Sequence, residues 1–177
     1  MASARRLSEH FSTLSELLSA DEVLVGDLVG RQAAEAVTQV RGIMTHALDD
    51  ELRQRRAILC ERDAARFLKG AIGFRAEEAL IVLFLDARRC LIDHEILATG
   101  RADSVEFDQR RIIFRAIGRG ATGLILAHNH PSGDPRPSSS DIRVTRQLGE
   151  VARSLGICLH DHLVVAGGEV RSAMGEW

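Results

Sequence analysis

The spacing of apolar and polar positions changes character near residue 60. Before it the spacing is helical. Leu7, Phe11, Leu14, Leu17 and Leu18 recur three or four residues apart, the stripe of an amphipathic helix. Ser19-Ala20-Asp21-Glu22 reads as a fresh helix start, because short polar side chains cap the free amides of a first turn. Ala33 to Arg56 reads as a longer helix, and its charged end, Asp49 to Arg56, as a solvated face or linker. After Cys60, short apolar runs alternate with amphipathic ones. Glu61 to Leu68 predicts a helix. Ala79 to Leu85 is apolar without interruption, as in a strand buried on both faces. A turn over Asp86 to Arg89 leads to a hairpin partner, Cys90 to Ala98. Asp108 to Gly118 predicts a helix, and Gly123 to Ala127 a third buried strand running straight into His128. Ser139 to Leu155 predicts another helix, with closing strands over Ile157 to Val165 and Val170 to Met174. This order predicts an α/β fold, a mixed sheet with helices on both faces, over residues 57–177. A helical N-terminal region, residues 1–56, precedes it.

Composition narrows the class. A chain of 177 residues can bury a core without disulfides or metal. Aromatic residues make up only 4% and there is no tyrosine, so the core must be Leu, Ile, Val and Ala. A net charge of −2 argues against a sequence-independent nucleic-acid binder, which is usually basic. Cys60, Cys90 and Cys158 are odd in number, far apart and form no CxxC pair. They suggest a reducing compartment, each thiol serving as a small buried hydrophobe. The first residues form no secretory apolar run and no stretch is long enough to span a membrane, so a cytosolic protein is expected.

The candidate chemistry lies in one loop. All three prolines, Pro131, Pro135 and Pro137, fall in the segment from His128 to Asp141. Proline fixes φ and removes a donor, so the segment is a stiff, non-repetitive loop. It opens with His128-Asn129-His130 at a strand end, where residues i and i+2 point the same way. It closes with Asp141 in the first turn of a helix. Two imidazoles and a carboxylate with a fourth position open to water make a catalytic zinc arrangement. Ser138 and Asp141 also have the spacing of a capping box. The cap and ligand readings of Asp141 are compatible, since a metal needs only one of its oxygens.

His-x-His, seven residues, Ser, two residues, Asp is the signature that this segment shares with the JAMM (MPN-type) zinc metalloproteases. The fuller string His128-Asn129-His130-Pro131-Ser132-Gly133-Asp134-Pro135, then Pro137-Ser138 and Asp141, resembles the RadC family, a bacterial branch of that superfamily. The resemblance extends to Glu78 to Asp86, to Leu155-Gly156-Ile157 and to Asp161 to Val165. It implies a three-layer α/β/α domain and a zinc ion held by His128, His130 and Asp141. It also implies a glutamate general base on the first core strand. Glu77 and Glu78 are both open on local grounds, and matching the strand favours Glu78. Ser138 would stabilise the oxyanion of the tetrahedral intermediate. The implied reaction is hydrolysis of a peptide or isopeptide bond in a protein or peptide substrate. Glu78 takes a proton from water and returns it to the leaving nitrogen.

RadC-like chains also carry a helix-hairpin-helix with a Gly-apolar-Gly turn, whose amides can contact a DNA phosphate. Here the corresponding stretch is Val25 to Arg31, with Leu28 in place of the first glycine and Asp27 beside it. Strong DNA affinity is therefore not expected. The rival reading is a DNA-repair-associated accessory protein with a structural or vestigial metal site. Zinc deaminases share the broad architecture but need His-x-Glu or Cys-x-Glu and Pro-Cys-x-x-Cys, which are absent. His162 reads as a hydrogen-bonded core histidine, and His10, His46 and His94 as surface residues. The edges of a mixed sheet would permit a homodimer.

Overall fold

The computed structural model describes residues 2–54, 57–58, 60–100 and 107–175. Four helices come first: α1 (Ala2–His10), α2 (Leu14–Ser19), α3 (Glu22–Val29) and α4 (Arg31–Gln54). The stripe from Leu7 to Leu18 is therefore cut into two helices. Thr13 cuts it, because its hydroxyl accepts from the Glu16 amide while the Glu16 carboxylate accepts from the amides of Ser12 and Thr13. Asp21 caps α3 by accepting from Val23 N. Gly30, at φ 91°, makes the turn into α4, which starts at Arg31, two residues before the expected Ala33. Arg55, Arg56 and Trp177 lie outside the described residues.

Next come α5 (Glu61–Ala71), β1 (Glu78–Leu85), β2 (Leu91–Gly100), α6 (Gln109–Gly118), β3 (Gly123–Asn129), α7 (Ser139–Ser154), β4 (Cys158–Ala166) and β5 (Glu169–Ser172). The five strands form one mixed sheet in the order β2-β1-β3-β4-β5. Among the described residues only β3 and β4 pair in parallel, and α7 makes their crossover. On one face α5 and the end of α4 cover Ile81, Leu83, Ile125 and Leu163. On the other face α6 and α7 cover Leu80, Val82, Phe84, Leu124 and Leu126. This is the expected three-layer α/β/α arrangement. No helix among the described residues is long and apolar enough to cross a membrane.

Three expectations need correction. The charged end of α4 is not simply a solvated face. Leu52 is buried in the core cluster with Ile58 and Phe67, and Asp49 Oδ1 lies 2.9 Å from His94 Nε2. His94 is accordingly not a plain surface residue, since its ring also packs on Phe67 at 4.8 Å. The thiols are not core hydrophobes. Cys60 and Cys90 are half-buried and Cys158 is exposed. Each sits at an element boundary, where the sheet and helices no longer cover it: the N-cap of α5, the β1–β2 turn and the first residue of β4.

The turn from α5 toward β1 leaves no room for a side chain at Gly73. A Cβ there would lie 2.6 Å from the Lys69 carbonyl oxygen, and backbone cannot swing away as a flexible side chain can. At Gly118, in the last turn of α6, a Cβ would meet nothing within 4 Å. Gly73→Ala should lower the urea-unfolding free energy by about 1–3 kcal/mol through overpacking. Gly118→Ala should be neutral or stabilising by up to about 1 kcal/mol, because it removes glycine's backbone entropy from a helix. Equal behaviour of the two variants would refute this account.

Candidate metal centre

Strand β3 carries its ladder two residues past its apolar run, through His128 and Asn129. His128 is 3% exposed and Asn129 2%. The β1–β3 register sets Leu80 opposite His128, and the β3–β4 register pairs Leu126 with His162. Paired residues share a face, so Glu78, His128 and His162 all lie on the face covered by α6 and α7. Ala79 lies on the other. The start of β1 separates the two adjacent glutamates: Glu78 is half-buried on the histidine face, and Glu77 is exposed in the bend before the strand.

His130 follows β3 and stays tied to the sheet, its N–H donating to Val165 O at 2.9 Å. Its ring is aimed by the loop. His130 Nδ1 lies 2.8 Å from the Asp134 carbonyl oxygen. The Asp134 carboxylate in turn accepts from Arg136 Nη2 at 2.6 Å and from Arg136 N at 3.0 Å. These bonds hold the Asp134 carboxyl down at about 2. The loop also passes close to the β4–β5 turn. A Cβ on Gly167, where φ is +55°, would lie 3.0 Å from Gly133 O, so only glycine suits this position.

Helix α7 brings the carboxylate. Ser138 is its N-cap, with Oγ accepting from Asp141 N at 3.1 Å. Asp141 Oδ2 accepts from Ser138 N at 2.7 Å and from Ser138 Oγ at 2.6 Å. The capping box therefore takes one oxygen and leaves Oδ1 3.5 Å from His128 Nε2. Burial works against charge on Asp141, but the His128 ring beside it and its hydrogen bonds from Ser138 outweigh that and hold the carboxyl well below its usual range.

The ligand atoms of His128, His130 and Asp141 all lie within 4.8 Å of one another. The two Nε2 atoms are 2.9 Å apart. A carbonyl cannot donate, so His130 Nδ1 carries the hydrogen toward Asp134 and a neutral His130 has a bare Nε2. The His128 ring likewise engages a neighbour through Nδ1, 2.8 Å from His162 Nε2, and turns its Nε2 inward. Two imidazole nitrogens and an anionic oxygen thus converge on one point, a donor set that suits a divalent cation.

Several residues at the site have partners that local sequence does not reveal. The Asn129 side chain joins the two strands: Oδ1 accepts from Ala79 N at 2.8 Å, and Nδ2 donates to the carbonyls of Glu77 and Arg75. It pins the start of β1, and with it Glu78, to the histidine strand. Its place between the two histidines was visible, but its partners are some 50 residues away in the chain. His162 is fully buried, as expected of a core histidine, and burial pushes it down to about 3. Asp161 beside it accepts from Ser172 Oγ, which ties β4 to β5. Phe107 stands edge-on to the rings of His162 and His128, at 5.3 and 6.2 Å.

Comparison with known proteins agrees with this geometry. Residues 58–176 match the RadC-like JAB domain. A UPF0758 protein of Rhodobacter capsulatus is 38% identical in an alignment covering 98% of this chain and 82% of the relative. The matched region runs from three residues before α5 to beyond β5 and contains the whole histidine–aspartate cluster, so the chain belongs to the RadC-like JAB-domain family.

Proposed function

We propose that this protein is a zinc-dependent hydrolase of peptide or isopeptide bonds, working in the cytoplasm on a protein or peptide substrate. One observation carries the reading: the inward Nε2 atoms of His128 and His130 converge with the Asp141 carboxylate, and Glu78 lies on the same face of the sheet. In this reading His128, His130 and Asp141 hold the ion. When bound, it supplies Lewis acidity, polarising a carbonyl and letting water react near neutral pH. Glu78 accepts a proton from the attacking water and delivers it to the leaving nitrogen. The Ser138 hydroxyl turns from Asp141 Oδ2 toward the substrate oxygen and donates to it as negative charge develops. Asn129 keeps Glu78 in register with the ligands.

The helical hairpin of α3 and α4 gives the DNA-associated reading less support. Asp27 sets a negative charge close to the turn at Gly30, where a phosphate would have to approach.

Elemental analysis tests the ligands. Wild-type protein should carry a single zinc per chain, and His128→Ala should carry none. No zinc in the wild type after reconstitution would overturn the reading. Glu78→Gln should keep its zinc yet lose hydrolysis by about 100-fold or more, assayed on a mixed library of α-peptide and lysine-isopeptide substrates. Undiminished turnover would remove Glu78 from the mechanism. Asn129→Leu strands buried backbone groups and should cost at least about 2 kcal/mol of stability. It should slow hydrolysis more than it lowers zinc content.

A further inference from the structure

We propose that the outer surface of α6 and α7 is a docking site for an acidic, amphipathic segment of a partner protein. The site is separate from the metal centre, and its test does not depend on the metal reading.

The two helices run the same way. Helix α6 starts from the end of β2 that lies beside Glu78 and leads to the start of β3, and α7 leads from the end of β3 to the start of β4. They meet where Gln109 Nε2 lies 3.5 Å from Gln147 Oε1. Arg111, Arg115 and Arg119 recur at four-residue spacing and reach toward Glu95 and Asp93 on β2. Arg110, Phe114 and Ile117 form a different stripe of α6, turned away from β2 toward α7 and solvent. On α7, Val151 and Leu155 follow Gln147 by four and eight residues and share its edge. Phe114 and Ile117 follow Gln109 by five and eight, so the four side chains lie along one seam. Phe114 is 74% exposed, Ile117 60%, Val151 42% and Leu155 53%. Single apolar side chains are ordinary on a surface, whereas four grouped along a seam mark a contact site.

Charge identifies the partner. The chain as a whole has a net charge of −2, yet residues 109–118 and 139–154 hold six arginines and two carboxylates. Asp141 is buried at the metal centre, which leaves Glu150 as the exposed carboxylate of these helices. Arg111 and Arg115 have Glu95. Among the described residues, Arg110, Arg143, Arg146 and Arg153 have no carboxylate partner. Two copies of this chain meeting through this face would set arginine against arginine. Nucleic acid would satisfy the arginines, but bases need flat stacking partners, and three of the four apolar side chains are aliphatic. An acidic amphipathic helix meets both demands, laying its apolar side chains on the seam and its carboxylates against the free arginines. Val151 is ten residues along α7 from Asp141, about 15 Å at the helical rise. A segment docked there leaves the metal centre open.

The test is selection of short random peptides displayed on phage against the full chain, followed by fluorescence anisotropy with the selected peptides. The enriched peptides should carry Asp or Glu together with apolar residues three or four positions apart. The double variant Phe114→Ser, Ile117→Ser should bind them at least about 10-fold more weakly, the loss expected of buried anchors. Arg110→Glu with Arg143→Glu should weaken them as well and blunt the salt dependence of what binding is left. All four positions are exposed, so the variants should unfold at the wild-type urea concentration. Selection of basic peptides, or acidic ones that bind both double variants as tightly as wild type, would overturn the proposal. So would a dimer in sedimentation that Phe114→Ser dissociates, which gives the seam to a second copy. Binding of single-stranded oligonucleotides that Arg110→Glu with Arg143→Glu abolishes, without selection of acidic peptides, would give it to nucleic acid instead.

Discussion

The backbone ladder of β3 is the constraint on which the rest depends. This strand lies between β1 and β4, antiparallel to one and parallel to the other, and every residue of it is buried. A buried strand must pair its amides and carbonyls on both sides, because unpaired backbone groups are costly away from water. That requirement fixes the register, and the register brings Leu80, His128 and Val164 level with one another. One step of slippage would turn His128 to the face of α5 and separate it from Asp141.

The polar groups at the strand end are tolerated because each has a partner that leaves its reactive atom pointing inward. Imidazole, amide and carboxylate are all expensive to bury unpaired. His130 uses the Asp134 carbonyl, His128 uses His162, and Asp141 uses the first turn of α7. Their common neighbourhood lies at the carboxyl ends of two parallel strands and the start of the following helix. In open α/β sheets that is where ligands gather. The helix start also favours the negative charge of Asp141.

Much of the architecture was legible because its signals are local. The unbroken apolar run of β1 announced a strand buried on both faces. The clustered prolines announced a loop, and Ser138 with Asp141 announced a helix start. Boundaries read from apolar runs alone fell short where polar residues continue an element. Strand β3 extends to Asn129 because its neighbours supply backbone partners there, which no hydrophobic pattern encodes. The packing of Asp49, Leu52 and His94 was missed for a similar reason: a charged stretch reads as solvated until another element covers part of it.

Residue identity and spacing by themselves determined the α/β class, the order of the elements after residue 60, and the candidate set His128, His130 and Asp141 with the capping role of Ser138. Those follow from short-range rules, since side-chain alternation, turn stiffness and helix capping act within a few residues. Only the tertiary structure decided that β1 begins at Glu78 and turns it to the face of the histidines, because facing is set by pairing with a strand some 50 residues away. It alone brought Asn129 to the start of β1 and His162 to His128, contacts spanning 50 and 34 residues. Which ring nitrogen points inward depends on partners drawn from three separate elements, a choice made when the sheet and α7 pack together.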